Sequence, residues 1–387
     1  MSSSSGESSA AGSAPAATVP LEPASPPPLP ATFVGAKNEK ACKAQTVELA
    51  TYQQRGDVAL GGHPEGVAAV WRARLSGKPQ EQVAFASFDA GGRPASRPRG
   101  VGLTTQEVPP RVFASGSQWT VVWYDDKGLA FTRPHAEPVP QPEITHLPAV
   151  GPEVAAEVAL STSPAGAVLA AAPFGAQKAQ LGIFLFAPTD NVSTVKALGV
   201  THHGKDPRHP ALAAGTGGIF VVWDEAGALV GSRFDAGGKE NDRTCTVAPA
   251  SDKRERLALA ATRTGAIVMW MEGNRVRTRA LDAAGCPASP IWTVAEGRWA
   301  SITALGDTAL VVWVAADGRL LAARLQPNGA PPPRGLDAGE GSSGAKDAPA
   351  VIALGPGKVA FAWSEVMSPV ISSKRLEMRL VDSACIP

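Results

Sequence analysis

An apolar run closed by tryptophan recurs six times along this chain: GVAAVW ending at Trp71, TVVW at Trp123, IFVVW at Trp223, AIVMW at Trp270, ALVVW at Trp313 and KVAFAW at Trp363. Successive tryptophans are 52, 100, 47, 43 and 50 residues apart. The double step marks a hidden copy near residue 171, where GAVLAAAPFG keeps the run but places alanine in the tryptophan slot. Seven units of about 50 residues result, and a period of 40 to 50 residues built from short strands is that of propeller blades. The repeat predicts an all-β fold, a seven-bladed β-propeller of four-stranded antiparallel blades.

Each unit reads as four strands. A run of small residues comes first, as in PALAAG, RLALAATRTG, ASITALG or PAVIALG, and suits the innermost strand because blades crowd together near the axis. The tryptophan strand follows, then a turn such as DEAG, MEGN or AADG, then a third strand such as ALVGSRF or RVRTRAL. Asp89, Asp235 and Asp282 end third strands and are followed by glycine, residues whose tolerance of left-handed geometry suits a tight hairpin. A more variable fourth strand, such as CTVAPA or PIWTVAEG, completes the unit. The tryptophans are read as packing residues between blades.

The last unit lacks a fourth strand, because the chain stops at Pro387 soon after KRLEMRLVDSA. KACKAQTVELA, residues 40 to 50, precedes the first inner strand and has no blade of its own. Donated to the seventh blade, it closes the ring and removes an open sheet edge. The same step places Cys42 beside Cys385, and a Cys42–Cys385 disulfide is expected in an oxidising compartment. Cys245 and Cys286 fall in successive blades, one opening an outer strand and the other following a third strand, which makes theirs the less expected pair. No two of the four cysteines form a C-x-x-C site.

In this arrangement residues 37–387 resemble bacterial seven-bladed β-propellers of the secreted or lipoprotein-like kind, with a tryptophan in the second strand of each blade. Trp223-Asp224 imitates the dipeptide of WD40 repeats, but it opens a turn between second and third strands and no Gly-His partner precedes the blades. Sialidase-type S-x-D-x-G-x-x-W boxes are missing as well. The resemblance implies an extracytoplasmic place, at the cell envelope or secreted, and leaves the ligand open.

Residues 1–36 are Ser, Ala and Pro with little to bury, and are read as a disordered tether outside the fold. Such tethers commonly follow the lipidated cysteine of a lipoprotein, so attachment to a membrane through an N-terminal lipid absent from this sequence is conceivable; a low-complexity tail on a cytoplasmic protein is the alternative. The chain is 44% hydrophobic and 18% charged, enough apolar material for a large core. Lys and Arg number 36 against 35 Asp and Glu, a net charge of +1, and so no basic field favours nucleic acid. Eighteen consecutive apolar residues occur nowhere, and no transmembrane segment is expected.

Candidate sites are few. His202, His203 and His209 lie close together in THHGKDPRHP, but without metal-site spacing or a completing carboxylate cluster, so no metal and no cofactor are expected. Six cations stand before the inner strands: Arg55, Arg111, Arg208, Arg256, Arg298 and Lys346. A ring of them at one mouth of the channel would draw an anionic ligand. Asp57, Asp206, Asp252, Glu255, Glu296 and Asp347 are close in sequence, however, and ion pairs between blades explain the same residues. Nucleophilic catalysis has no G-x-S-x-G elbow and no cysteine with a nearby histidine. Asn191-Val192-Ser193 matches a glycosylation acceptor only as a three-residue pattern. The function expected is a non-enzymatic binding or scaffold module holding a protein or glycan on one face. Its rivals are a hydrolase or lyase acting on sugars at the channel mouth, and a purely structural surface protein.

Overall fold

The computed structural model of the 387-residue chain describes residues 32–35, 45–51, 54–74, 80–104, 108–115, 118–134, 144–147, 158–163, 167–174, 180–188, 193–200, 207–241, 243–339, 346–355, 357–368 and 373–387. Seven antiparallel sheets follow one another along the chain. Blade 1 comprises Gln54–His63, Gly66–Arg74, Glu81–Asp89 and Arg99–Thr104. Blade 2 comprises Arg111–Ser115, Gln118–Asp125, Gly128–Thr132 and Thr145–Leu147. Blade 3, the hidden copy, is Ala159–Thr162, Val168–Phe174, Gln180–Pro188 and Ser193–Val200. Blade 4 is Arg208–Gly215, Gly218–Glu225, Ala228–Phe234 and Cys245–Ala248. Blade 5 is Arg254–Ala261, Ala266–Glu272, Arg275–Leu281 and Trp292–Glu296. Blade 6 is Arg298–Leu305, Thr308–Val314, Leu320–Arg324 and Arg334–Asp337.

Blade 7 takes Lys346–Ala353, Lys358–Ser368 and Ser373–Asp382 from the end of the chain. Beside the last of these runs Gln45–Thr51, antiparallel, with Gln45 opposite Leu380 and Thr51 opposite Arg375. Inner strands of neighbouring blades touch all the way round, blade 7 against blade 1 included, so the sheets form a ring. The molecule is a seven-bladed β-propeller with essentially no helix; among the described residues one 3-10 turn, Ser383–Cys385, follows the last strand. Thr32–Gly35, within the stretch read as tether, pairs in parallel with Arg334–Asp337 at the outer edge of blade 6.

Middle strands show no in-out alternation because both their faces meet a neighbouring blade, which is why the sequence reads as continuous apolar runs. In Gly218–Glu225 the first six residues are all buried. The described core divides into seven clusters, one per wedge between blades. Each repeat tryptophan faces the blade before it. Trp223 packs with Leu169, Ala171, Leu181 and Ile183 of blade 3, and Trp71 packs with Ala360, Ala362 and Met378 of blade 7 across the junction of the ring. In the wedge between blades 2 and 3 no tryptophan is present: Ala172 stands at the facing position, and Tyr124, Phe131 and Phe184 fill the space.

Backbone carbonyls at the wedges are satisfied by buried arginines. Arg279 of blade 5 donates to Val247 O of blade 4, and at the equivalent place in blade 7 Arg379 donates to Ala338 O beyond blade 6. The turns after Asp89, Asp235 and Asp282 share one design. Each carboxylate accepts the backbone N–H groups two and four residues on, and a left-handed glycine follows, Gly92, Gly238 and Gly285.

Cys245 and Cys286 form a disulfide across blades 4 and 5, with Cα atoms 5.3 Å apart. The less expected pair is thus formed: the Asp282 turn folds Cys286 back beside the preceding blade's outer strand. Cys385 is also disulfide-bonded, while Cys42, its expected partner, lies outside the described residues. Breaking the Cys245–Cys286 bond, which spans 41 residues, is expected to cost about 2 to 4 kcal/mol. Melting a Cys245→Ser/Cys286→Ser variant beside the parent measures it; equal melting temperatures would deny the bond a stabilising role.

Candidate functional site

A cavity of about 430 Å³ opens at the face where inner strands begin and tryptophan strands end, spanning blades 2 to 5. Its apolar wall is Val108, Val158, Leu160 and Leu257, each only partly buried by the cores behind. Its charged groups are Arg111, His209, Asp224, Arg254, Glu255 and Arg256. The volume is that of pockets for small organic ligands.

A repeated backbone feature positions the rim. Where inner strands begin in blades 4 to 7, two residues oppose one on the tryptophan strand, a β-bulge in each case. In blades 4, 5 and 6 the extra turn of chain places His209, Arg256 and Trp299 at equivalent positions, with φ of 46°, 52° and 57°. Left-handed backbone in a residue with a Cβ costs on the order of 1 to 2 kcal/mol, and bulges of this kind redirect side chains at sheet ends. Two of the three side chains line the cavity. The third, Trp299, lies under the Arg256 guanidinium, whose central carbon is 3.6 Å from the ring centre, a cation–π contact.

Beneath this rim Arg254 is committed to structure. It donates to the carbonyls of Gly227 and Pro249, stands 3.8 Å from Asp224 Oδ2 and approaches the Trp270 ring. Burial pushes its pKa down, with Asp224 and Glu272 opposing the shift. Asp224 is engaged in turn, accepting the Gly227 N–H at 2.7 Å. Among the described residues no group of three or more His, Cys, Asp and Glu is arranged to hold a metal.

Of the six cations read as a ring, Arg111 and Arg256 line the cavity. Arg208 and Arg298 are exposed at the starts of the inner strands of blades 4 and 6, one residue before the left-handed position. Lys346 is only 3% exposed, its aliphatic stem lying over Gly339, where an added Cβ would come within 2.5 Å of Cε. The side chain of Arg55 lies outside the described residues, as do His202, His203 and Asn191. The cations thus occupy different registers: Arg256 reaches the cavity from a bulge, Arg111 from a regular pair with Val122. Trp299 and Arg254 were not singled out from the sequence; an aromatic outside the repeat slot, in GRWAS, was the available signal for the first.

No helix among the described residues is long and apolar enough to cross a membrane. No protein-family model matches the chain, and no curated protein does. Solved structures share the architecture. The WD40 domain of Toxoplasma gondii coronin is 10% identical, with a TM-score of 0.52, over 93% of this chain and 88% of that one. AofleA from Arthrobotrys oligospora is 12% identical, with a TM-score of 0.49, over 81% of this chain and 95% of its own. The SapL1 lectin, solved with alpha methyl fucoside, is 13% identical, with a TM-score of 0.45, over 71% and 94%. At 10% identity the likeness to the coronin domain is one of fold alone.

Proposed function

We propose that this propeller is a non-catalytic binding module which holds a protein or a glycan at the channel-mouth face, outside the cytoplasm. The observation that carries the reading is the cavity at that face, with an apolar wall and two exposed arginines, Arg111 and Arg256, on a ring of sheets. Fixed elements hold such a site more precisely than loops do. The Cys245–Cys286 disulfide supports the compartment, since such bonds persist where the medium is oxidising. Residues 1–31, rich in Ser, Ala and Pro, act as a tether between the ring and whatever surface carries it.

A glycan hydrolase is the rival, because His209, Asp224 and Glu255 line the same cavity. Among the described lining residues the other carboxylate, Asp224, is already held by Arg254 and the Gly227 N–H, whereas a hydrolase of this kind works with a pair of carboxylates. The test is a glycan and peptide array probed with the full chain and with an Arg111→Glu/Arg256→Glu variant. Specific binding by the parent, lost in a variant of unchanged melting temperature, is the expected result. Binding that survives in the variant would move the site elsewhere. Release of sugar products that stops in Glu255→Gln would replace the reading by the hydrolase.

A further inference from the structure

Tryptophan occurs twice in the second strand of blade 2. Four residues before the repeat slot the other blades carry Val67, Val168, Ile219, Ala266, Ala309 and Val359, none more than 4% exposed. Blade 2 carries Trp119 there. A close-packed slot sized for alanine or valine does not enclose an indole, and Trp119 is only partly buried, packed against the wedge of blades 1 and 2 with the rest of its surface outside. The ladder beside it is also shorter. Third strands keep pace with second strands as far as Gly66–Asp89 in blade 1, Ile219–Phe234 in blade 4 and Ala266–Leu281 in blade 5, whereas in blade 2 the third strand ends at Thr132, opposite Val121.

Trp119 lines a cavity of about 200 Å³ at the face opposite the channel mouth, where inner strands end and tryptophan strands begin. Around it stand His63, Glu65 and Asp89 of blade 1 and Gln118 of blade 2. Asp89 is fixed: its Oδ1 accepts the N–H groups of Gly91 and Arg93. His63 Nδ1 accepts the Glu65 N–H at 3.3 Å, which leaves the ring proton on Nε2. Glu65 and Gln118 are exposed, one bringing a second carboxylate and the other an amide that both donates and accepts. The Asp235 and Asp282 turns repeat the carboxylate, but the blades that follow them put the buried alanines 266 and 309 in the slot of Trp119.

The polar groups of this cavity mix donors with acceptors beside one aromatic ring. A ligand ammonium or guanidinium only donates, and would set a donor against the His63 N–H; a ligand carboxylate only accepts, and would meet Glu65 and Asp89. A hydroxyl does both. A sugar ring carries hydroxyls around its edge and a face of C–H groups that covers the apolar body of an indole. The space is smaller than the pockets that take drug-sized ligands, and a single ring suits it. Because the match is of donors to acceptors, it holds whatever the net charge around the cavity.

We propose that this second cavity binds one neutral sugar ring, its C–H face on Trp119 and its hydroxyls on Glu65, Asp89, Gln118 and His63. The site lies on the far face from the mouth cavity and does not depend on what the mouth holds.

Saturation-transfer NMR on the full chain tests it, with the methyl α- and β-pyranosides of glucose, galactose, mannose and N-acetylglucosamine as probes and a titration of the strongest. At least one is expected to bind, with Kd on the order of 1 mM. Trp119→Val gives blade 2 the residue that blades 1, 3 and 7 already hold in that slot, so the fold is kept while affinity falls about tenfold. Glu65→Gln, at an exposed position, is the second variant and should also weaken binding about tenfold, with little movement of the melting temperature. Arg111→Glu/Arg256→Glu at the mouth should leave glycoside affinity unchanged, which separates a failure here from a failure of the mouth reading. Glycoside binding untouched by both Trp119→Val and Glu65→Gln, or lost in the mouth variant, overturns the proposal. So does the absence of a signal from every glycoside. Binding of Nα-acetyl-lysine methylamide where no glycoside binds would replace the sugar by a basic side chain.

Discussion

Trp223→Ala is expected to destabilise the protein by about 3 to 5 kcal/mol, the cost of opening a large cavity in a core that cannot collapse around it. Trp223 is fully buried and its wedge is lined by strands of two sheets, each held in register by its own ladder. Neither sheet can move inward without breaking hydrogen bonds, so relaxation is small. The indole N–H also loses its 3.3 Å bond to Glu225. Chemical denaturation of the variant beside the parent gives the number, and a loss under about 1 kcal/mol would mean the wedge repacks freely. Ligand affinity, measured where the variant remains folded, should stay the same. A variant that keeps its stability but loses ligand would make Trp223 a site residue and the wedge explanation wrong.

Removing residues 1–51 is expected to expose the outer edge of Ser373–Asp382 and to cause aggregation on mild heating, whereas removing residues 1–31 should change little. The longer deletion takes away the strand Gln45–Thr51, whose backbone pairs along that edge, and Leu49, which is 3% exposed among Trp71, Ala362 and Leu376. An uncovered edge is a template for another chain. Light scattering during a thermal ramp on both truncations reads the difference. Coincident curves would show that the ring holds without its N-terminal strand.

The fold was legible because the tryptophan slot is a packing requirement repeated by every wedge. Even the missing tryptophan could be placed, since spacing survived where identity did not; blade 3 occurs where the double step put it, with Ala172 in the slot. The parallel strand Thr32–Gly35 could not be read, because a strand added at an edge needs only backbone groups and leaves no apolar pattern. The site was half legible. Cations before the inner strands were evident, but the bulges at His209, Arg256 and Trp299 shift the chain by one residue, and that shift is a property of backbone geometry. Nearness in sequence therefore grouped Lys346, now buried, with Arg256, now on the rim. The Cys245–Cys286 pair was ranked too low for a similar reason, since the Asp282 turn reverses the chain within five residues and brings Cys286 to a neighbour that strand order did not suggest.

The pairing of Gln45–Thr51 with Ser373–Asp382 sets an order on synthesis. The strand made among the first leaves the ribosome with no partner and waits for almost the entire chain to follow. Five sheets can complete themselves as they emerge, each from neighbours in sequence, and the blade 6 sheet adds to its own strands only Thr32–Gly35, made long before, but the seventh cannot form until its last strand is free of the exit tunnel. Closing so long a loop is the slowest kind of contact a chain makes. A nascent chain that stalls anywhere before residue 373 therefore lacks the strand that Gln45–Thr51 pairs with, and its seventh blade stays unfinished.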